Sequence, residues 1–108
     1  MNKYKNITPR NKDGVPNGYW RVYWNGQLAF KGNYINGDAH GYWESYWSNG
    51  ELDWKGNYIN GEREGYWESY RSNGKLNWKG YFVNGEYDGY WEWYYDNGQL
   101  RDKAFYLN

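Results

Sequence analysis

From Leu52 to Tyr58 every second residue is apolar or glycine, and the residues between them are polar. A period of two is typical of a β-strand with one buried face, and no segment of the chain has the 3.6-residue period of an amphipathic helix. A second run rich in aromatic residues, Tyr42–Trp47, comes before it, and Asn-Gly dipeptides separate such runs. Asn-Gly is typical of tight hairpin turns, so the sequence predicts antiparallel strands joined by short turns.

The strand–turn pattern repeats along the chain. The tripeptide Gly-Tyr-Trp recurs at intervals of 23, 24 and 24 residues, beginning at Gly18, Gly41, Gly65 and Gly89. We therefore divide the chain into a single domain of four repeats, which are residues 18–40, 41–64, 65–88 and 89–108. Residues 1–17 form an N-terminal half-repeat that is expected to cap the stack. The predicted fold is all-β, with one antiparallel sheet built from stacked β-hairpin repeats.

Loop lengths predict a register for each hairpin. Ser48-Asn49-Gly50 suits a three-residue loop with its glycine in the left-handed region, and the shorter Asn25-Gly26 suits a two-residue turn. With these loops Tyr46 lies opposite Leu52. The same register places tyrosines opposite strand glycines, namely Tyr19, Tyr42 and Tyr66 opposite Gly32, Gly56 and Gly80. It also places tryptophans opposite lysines, namely Trp20, Trp43, Trp67 and Trp91 opposite Lys31, Lys55, Lys79 and Lys103. A rival register, with a two-residue turn in every repeat, pairs Glu44 with Lys55.

The repeat resembles the MORN repeat. The matching residues are Asn49-Gly50-x-Leu52, then Gly56-x-Tyr58-x-Asn60-Gly61, then Gly65-x-Trp67, and the motif recurs in the other repeats. The form is similar to the variant found in antitoxin components of bacterial toxin–antitoxin systems. The resemblance implies an elongated, twisted antiparallel meander. For the class as a whole it implies attachment to proteins or membranes.

Aromatic rings must supply most of the core, because they make up 25% of the residues, with 9 Trp, 15 Tyr and 3 Phe. Large rings bury much area and keep a hydroxyl or indole N–H for hydrogen bonding. The 13 basic and 13 acidic residues balance, which argues against nucleic acid as a ligand. Tryptophans facing lysines are therefore interpreted as a structural cation–π ladder rather than as a single-strand binding groove. The chain has no cysteine and hence no disulfide or thiolate metal site.

No residue constellation predicts catalysis. Glu44, Glu68 and Glu92 recur at one position of each repeat, as solvated or packed ladder residues do, whereas an acid–base pair needs asymmetry. The single histidine, His40, is predicted to lie in a turn without a second metal ligand of the usual type nearby. The serines have no adjacent base, and the glycines do not form a phosphate-binding loop before a helix. We therefore expect no enzyme, no cofactor and no metal site.

Positions that differ between repeats predict the partner surface, because stacking accounts for the positions that stay the same. The variable positions fall mainly on one face of the predicted sheet. That face carries Trp, Tyr and Arg side chains, which are enriched at binding hot spots. The predicted partner-binding residues are Trp24, Trp47, Arg71, Trp93 and Tyr95.

The predicted function is binding of another protein, either as an antitoxin or immunity protein that neutralises a toxin or effector, or as a phage-encoded inhibitor of a host effector. Two alternatives stay open. One is an aromatic platform for a small ligand such as a saccharide or nucleotide, and the other is a membrane-tethering module. The sequence has no apolar leader or long apolar run, so the expected location is the cytoplasm, without insertion into a membrane. High Asn, Lys and Tyr usage indicates an AT-rich genome, bacterial or phage.

The last repeat departs from the others at two strand positions. Asp102 replaces the aromatic residue found in the other repeats (Phe30, Trp54 and Trp78), and Ala104 replaces glycine. A charge on the apolar face of an edge strand opposes pairing with the edge of another sheet. We therefore expect a monomer, with a homodimer through an edge strand as the alternative.

Overall fold

The computed structural model describes residues 5–107, and within them the chain forms nine β-strands and no helix. The strands are β1 (Gly18–Trp24), β2 (Gln27–Ile35), β3 (Asp38–Ala39), β4 (Gly41–Tyr46), β5 (Leu52–Ile59), β6 (Glu62–Tyr70), β7 (Leu76–Val83), β8 (Glu86–Tyr94) and β9 (Leu100–Tyr106). They form one antiparallel sheet in chain order, with the short β3 paired to β2 beside β4. The predicted meander of β-hairpins is confirmed.

The sheet is a single layer. Its principal extents are 45 × 34 × 12 Å, and its smallest dimension is close to the roughly 10 Å that one sheet and its side chains occupy in a packed protein. The radius of gyration is 15.7 Å, above the roughly 13 Å of a compact domain of 100 residues. Both faces therefore reach solvent, and the core must be built on one face of the sheet rather than between two layers.

The turns follow the predicted chemistry. Asn25, Asn36, Asn60 and Asn84 have φ between 46° and 51°, and the glycine after each also has positive φ. Two consecutive residues with positive φ make the turn that best matches the twist of a two-residue hairpin. The longer loops end in glycines with φ of 86° to 90°, and the Trp47 N–H donates to the Glu51 carbonyl at 2.8 Å. We call the side of the sheet that carries residues 25–26, 48–50, 72–74 and 96–98 the loop edge.

A β-bulge follows each loop and changes the predicted register. Tyr46 pairs with Leu52 as predicted, but the next pair is Ser45 with Trp54, so Asp53 has no partner. Beyond the bulge Glu44 lies opposite Lys55, as the rival register proposed. A bulge adds one residue to one strand and moves all later residues to the other face. The simple period of two predicted that Leu52 and Trp54 share a face. This prediction is wrong, because the bulge at Asp53 places them on opposite faces.

The predicted partners of the tyrosines and tryptophans are accordingly wrong. Tyr42 lies opposite Asn57 rather than Gly56, and Trp43 lies opposite Gly56 rather than Lys55. The same shift occurs in the other three hairpins. The unpaired residue is one of the positions that vary between repeats (Ala29, Asp53, Asn77 and Arg101), and its lack of a cross-strand partner explains why many side chains fit there.

The core is a ladder of four tryptophans, and the last three each lie on a glycine. Trp20, Trp43, Trp67 and Trp91 are 8%, 4%, 1% and 0% exposed. A Cβ built on Gly32, Gly56 or Gly80 would overlap the indole of Trp43, Trp67 or Trp91. Glycine is required there by this close approach. The sequence predicted a tyrosine ring over each of these glycines, and this was wrong, because the ring on each is the tryptophan of the next hairpin.

Each of these indoles also donates a hydrogen bond to the preceding strand. Trp43 Nε1 donates to the Asn33 carbonyl at 3.1 Å, and Trp67 and Trp91 make the equivalent bonds. Trp20 donates to the Pro9 carbonyl at 2.8 Å, and Pro9 stands 24 residues before Asn33. Residues 5–17 thus supply the same contact as a full repeat, while residues 1–4 of the predicted cap and residue 108 lie outside the described part.

Candidate binding surface

The two faces of the sheet carry different chemistry. The aromatic face carries the four core tryptophans and the rings that pack around them, which are Phe30, Tyr34, Trp54, Tyr58, Trp78 and Phe82. The tyrosine face carries a repeated set of tyrosine, glutamate and lysine side chains, represented by Tyr42, Glu44, Tyr46 and Lys31. Each face, and the loop edge that borders both, is a candidate site.

Ring contacts join the aromatic face into a continuous layer. Around Trp67, the ring centroid of Trp54 lies at 5.1 Å, that of Tyr58 at 5.0 Å and that of Phe82 at 6.0 Å. The last two rings meet Trp67 edge-to-face, at 88° and 82°. Such pairs contribute about 0.5–1.5 kcal/mol each beyond the area they bury. This packing is how one layer buries an indole almost completely.

On the tyrosine face, two of the three recurring glutamates each accept hydrogen bonds from two tyrosines. The hydroxyls of Tyr42 and Tyr46 donate to Glu44 at 2.7 and 2.5 Å, and those of Tyr66 and Tyr70 donate to Glu68 at 2.8 and 2.7 Å. In the next hairpin Tyr94 donates to Glu92 at 2.6 Å. The recurring glutamates are therefore bonded ladder residues, one to each hairpin after the first.

The lysines join neighbouring hairpins through these glutamates instead of facing tryptophan. The Nζ-to-Oε1 distances are 3.3 Å for Lys31 with Glu44, and 3.4 Å for the two equivalent pairs, Lys55 with Glu68 and Lys79 with Glu92. The predicted lysine–tryptophan cation–π ladder is thus wrong. Partly exposed ion pairs of this kind contribute about 0–1 kcal/mol each, so they orient the hairpins more than they stabilise them.

These bonds shift the pKa values of both partners. Burial and the hydrogen bond to glutamate raise the pKa of Tyr46 and of Tyr70 to about 12. Burial alone would raise the pKa of Glu44 and Glu68, but hydrogen bonds from the tyrosines and the nearby lysine lower it below the ordinary glutamate value. The carboxylates are therefore ionised at neutral pH, which suits a cross-link rather than a proton donor.

Four of the five predicted partner-binding residues form a row along the loop edge. The first of them, Trp24, pairs with Gln27 across the two-residue turn. The other three each follow the last paired residue of their strand and donate a backbone hydrogen bond across the loop; they are Trp47, Arg71 and Tyr95. Because side chains alternate between the two faces along a strand, these four residues lie on the side of the aromatic face. Trp93 lies two residues before Tyr95, where it stacks on Trp91 at 5.7 Å.

Two members of this row tie neighbouring loops together. Trp47 Nε1 donates to the Tyr70 carbonyl at 3.1 Å, and Arg71 Nη2 donates to the Tyr94 carbonyl at 3.0 Å. Loop asparagines make parallel bonds to the next loop, from Asn49 to Ser72 and from Asn73 to Asp96. Trp47 and Arg71 are thus held in place by the scaffold, which limits the conformational entropy that a partner must remove from them on binding.

Trp24 and Trp47 line a common groove at the first two loops. The groove has a volume of about 170 Å³, and its other lining residues are Gln27, Leu28, Ala29, Tyr46 and Ser48. Trp24 is 71% exposed, an unusual fraction for the largest apolar side chain. This groove is where the structure brings two of the predicted site residues into one concave surface.

The remaining candidate residues do not assemble into a site of known chemistry. His40 lies between β3 and β4, and its backbone N–H donates to the Asn33 carbonyl at 2.9 Å. Within residues 5–107, no three His, Cys, Asp or Glu side chains come close enough to hold a metal ion. The same residues contain no helix that could cross a membrane.

The comparison with protein families supports the repeat. Two segments, residues 39–60 and residues 87–108, match the family described as MORN repeat variant. Each matched segment contains one hairpin whose loop lies on the loop edge. The two segments begin two repeats apart along the chain. MORN repeats generally serve in binding. No curated protein matches the chain.

Sequence reasoning missed a groove beside the tryptophan ladder. It lies on the aromatic face beside Ala39, between the rings of Trp43 and Tyr58. The available signal was variation at one position of the repeat, which is occupied by Ala39, Arg63 and Tyr87 in three successive repeats. Without the register, nothing in the sequence places that position over the tryptophan ladder.

Proposed function

We propose that this chain is a non-catalytic repeat protein that binds another protein through its loop edge. The observation that carries the proposal is the groove between Trp24 and Trp47, in which a highly exposed indole is set beside one that the scaffold holds in place. Exposed tryptophan at a concave, pre-organised surface is typical of interface anchors. Arg71 and Tyr95 extend the same row with two more residue types favoured at hot spots.

The finer role we propose is neutralisation or inhibition of the partner. The supporting argument is the resemblance of the repeat to MORN variants of antitoxin components. An antitoxin or immunity protein, or a phage-encoded inhibitor of a host effector, needs a rigid binding surface and no chemistry of its own. The balanced net charge favours a protein partner over nucleic acid.

The test is capture of a partner by the tagged full chain from the native host, followed by binding with purified components. Trp24→Ala should abolish or strongly weaken capture of that same partner. Tyr90→Ala is the matched control, because Tyr90 is a 43% exposed ring on the tyrosine face. Equal loss in both variants, or capture that survives Trp24→Ala, would remove the loop edge from the proposal.

A second candidate function is supported by the tyrosine face. A groove of about 370 Å³ lies between the rings of Tyr66 and Tyr90, with Lys79 and Glu92 beside them and Gly80 among the lining residues. Aromatic rings beside hydrogen-bonding groups suit a saccharide or nucleotide. This candidate predicts a change in the intrinsic fluorescence of the purified protein on adding the small ligand, whereas the first predicts none until a protein partner is present.

A further inference from the structure

The same pair of rings recurs on the aromatic face with different covers. The centroids of Trp67 and Phe82 are 6.0 Å apart with an interplanar angle of 82°. The centroids of Trp43 and Tyr58, one repeat earlier, are also 6.0 Å apart with an angle of 82°. The protein therefore presents two copies of one ring geometry, and what lies over each copy can be compared directly.

In the later copy the cover is a guanidinium group. The Cζ atom of Arg63 lies 5.2 Å from the ring centroid of Trp67 and 5.2 Å from that of Phe82. A cation within about 6 Å of an aromatic ring, placed over its face, is attracted by the ring quadrupole. The chain itself thus shows which group this ring pair accepts.

In the earlier copy the equivalent position is alanine. Ala39 pairs with Tyr34 as Arg63 pairs with Tyr58, and Tyr87 pairs with Phe82 in the repeat that follows. Tyr87 covers its tryptophan as well, because its ring stacks on Trp91 at 4.0 Å. Phe30 and Tyr34 pack on Trp43, but the position that Arg63 fills in the later copy holds only the methyl group of Ala39 here.

The result is an open groove of about 310 Å³, which we call the aromatic cage. Five rings line it, those of Phe30, Tyr34, Trp43, Trp54 and Tyr58. Ala39 and Ser45 complete the lining with small side chains, whereas the serine position is filled by Trp93 two repeats later. Ala39 on β3 and Ser45 on β4 thus leave the cage open at positions where later repeats carry larger side chains.

We propose that the aromatic cage binds the guanidinium group of an arginine presented by the protein partner. Arg63 on the matching ring pair identifies the chemistry, since the two pairs share one geometry. Arginine suits the cage better than lysine because its planar, weakly hydrated head group stacks on rings. The partner's role rests on the proposed function, but the affinity of the cage for guanidinium does not.

The first experiment uses small probes and no partner. N-acetyl-arginine amide and the neutral N-acetyl-citrulline amide, which has nearly the same shape, are titrated separately into the full chain. Indole N–H resonances of Trp43 and Trp54 report binding. We expect the arginine probe to bind about 5- to 30-fold more tightly than the citrulline probe, as a desolvated cation–π contact provides. Equal affinities, or no movement of these two resonances, would overturn the proposal.

Two variants test the position itself. Ala39→Arg should fill the cage from within, as Arg63 does, and abolish the response at Trp43 and Trp54. Arg63→Ala should open the second copy and create a new response at Trp67. An unchanged response in Ala39→Arg contradicts the proposal, and so does the absence of a new site in Arg63→Ala, so a folding failure in one variant leaves the other decisive.

The partner experiment then separates the two proposals. Suppose that the probes bind as expected but Ala39→Arg captures the partner normally. The cage is then a guanidinium site that the partner does not use, and the proposal that a partner arginine occupies it is wrong. If the probes fail to bind but capture still depends on Trp24, the cage proposal is wrong and the proposed function stands.

Discussion

The indole of Trp67 occupies the space that a Cβ on Gly56 would fill. Trp67 lies on β6 and Gly56 on β5, so this contact joins one repeat to the next. Gly32 with Trp43 and Gly80 with Trp91 repeat it. Residues 5–107 form a single layer, so the tryptophan-on-glycine contact is what packs one hairpin against the next.

Gly56→Ala should destabilise the protein by about 1–3 kcal/mol, the usual cost of forcing an extra carbon into a packed site. The free energy of unfolding from urea denaturation measures the change. Ala104→Gly is the reciprocal control, because Ala104 already stands at the equivalent position of β9. It should cost no more than about 0.5–1 kcal/mol, the entropic penalty of glycine in a strand. Equal effects of the two substitutions would contradict a specific role for the tryptophan contact.

Stability should decrease on acidification through the glutamate ladder. Glu44, Glu68 and Glu92 have pKa values below the ordinary glutamate value, because tyrosine and lysine hydrogen bonds to each carboxylate outweigh burial. A lowered folded-state pKa contributes stability that is complete above the unfolded-state pKa of about 4.3 and is lost as the pH falls through the folded-state value. Urea unfolding between about pH 6 and pH 3 should show this loss.

Replacing all three glutamates with glutamine should flatten that pH dependence. Glu62→Gln is the matched control, since Glu62 is an exposed residue at the start of β6. The triple variant should lose stability at neutral pH and change less on acidification, whereas the control should follow the wild type. A triple variant with the wild-type slope would show that other carboxylates cause the acid sensitivity.

At high pH the tyrosines of the same ladder should limit stability. Burial and hydrogen bonding raise the pKa of Tyr46 and Tyr70 to about 12. A raised folded-state pKa contributes stability that is complete below the unfolded value of about 10 and is lost as the pH rises toward the folded value. Phenolate absorbance should therefore show a late-titrating class of tyrosines. In Glu68→Gln, Tyr70 should titrate earlier, and an unchanged titration curve would contradict the assignment.

The strands, the turns and the repeat could all be predicted because they depend on local signals. Asn60-Gly61 fixes a two-residue turn through backbone conformation alone, and the alternation from Trp54 to Tyr58 fixes a strand. The register could not be predicted past Asp53, because a bulge there is a compromise between loop geometry and packing across the sheet. The sequence shows only that this position tolerates any side chain.

The candidate site was predicted in part. The row of Trp24, Trp47, Arg71 and Tyr95 follows from comparing repeats, since these residues keep their place relative to the loops whatever the register. The aromatic cage is lined by residues far apart in the chain, such as Phe30 and Tyr58, which are 28 positions apart. Only the register and the ring packing bring that pair together.

The C-terminal strand β9 differs from the others in a way that opposes further stacking. In the inner hairpins a strand glycine leaves room for the tryptophan of the next hairpin. At the equivalent position of β9 the Cβ of Ala104 fills that room, and the nearby Asp102 lies opposite Trp93. Asp102→Trp combined with Ala104→Gly should restore a receptive edge and cause concentration-dependent association, measured by sedimentation. The wild type should sediment as a monomer under the same conditions. Association of the wild type, or its absence in the double variant, would contradict this role for the two residues.

The most direct test of binding through the loop edge is the affinity of the identified partner, measured by calorimetry with Trp24→Ala plus Trp47→Ala and with Tyr90→Ala. Truncating one anchor of this kind costs about 2 kcal/mol or more, and neighbouring anchors are not additive, so the double variant should bind at least about 30-fold more weakly. Tyr90→Ala should bind like the wild type. A double variant that remains folded by circular dichroism and binds with wild-type affinity would contradict the proposed function.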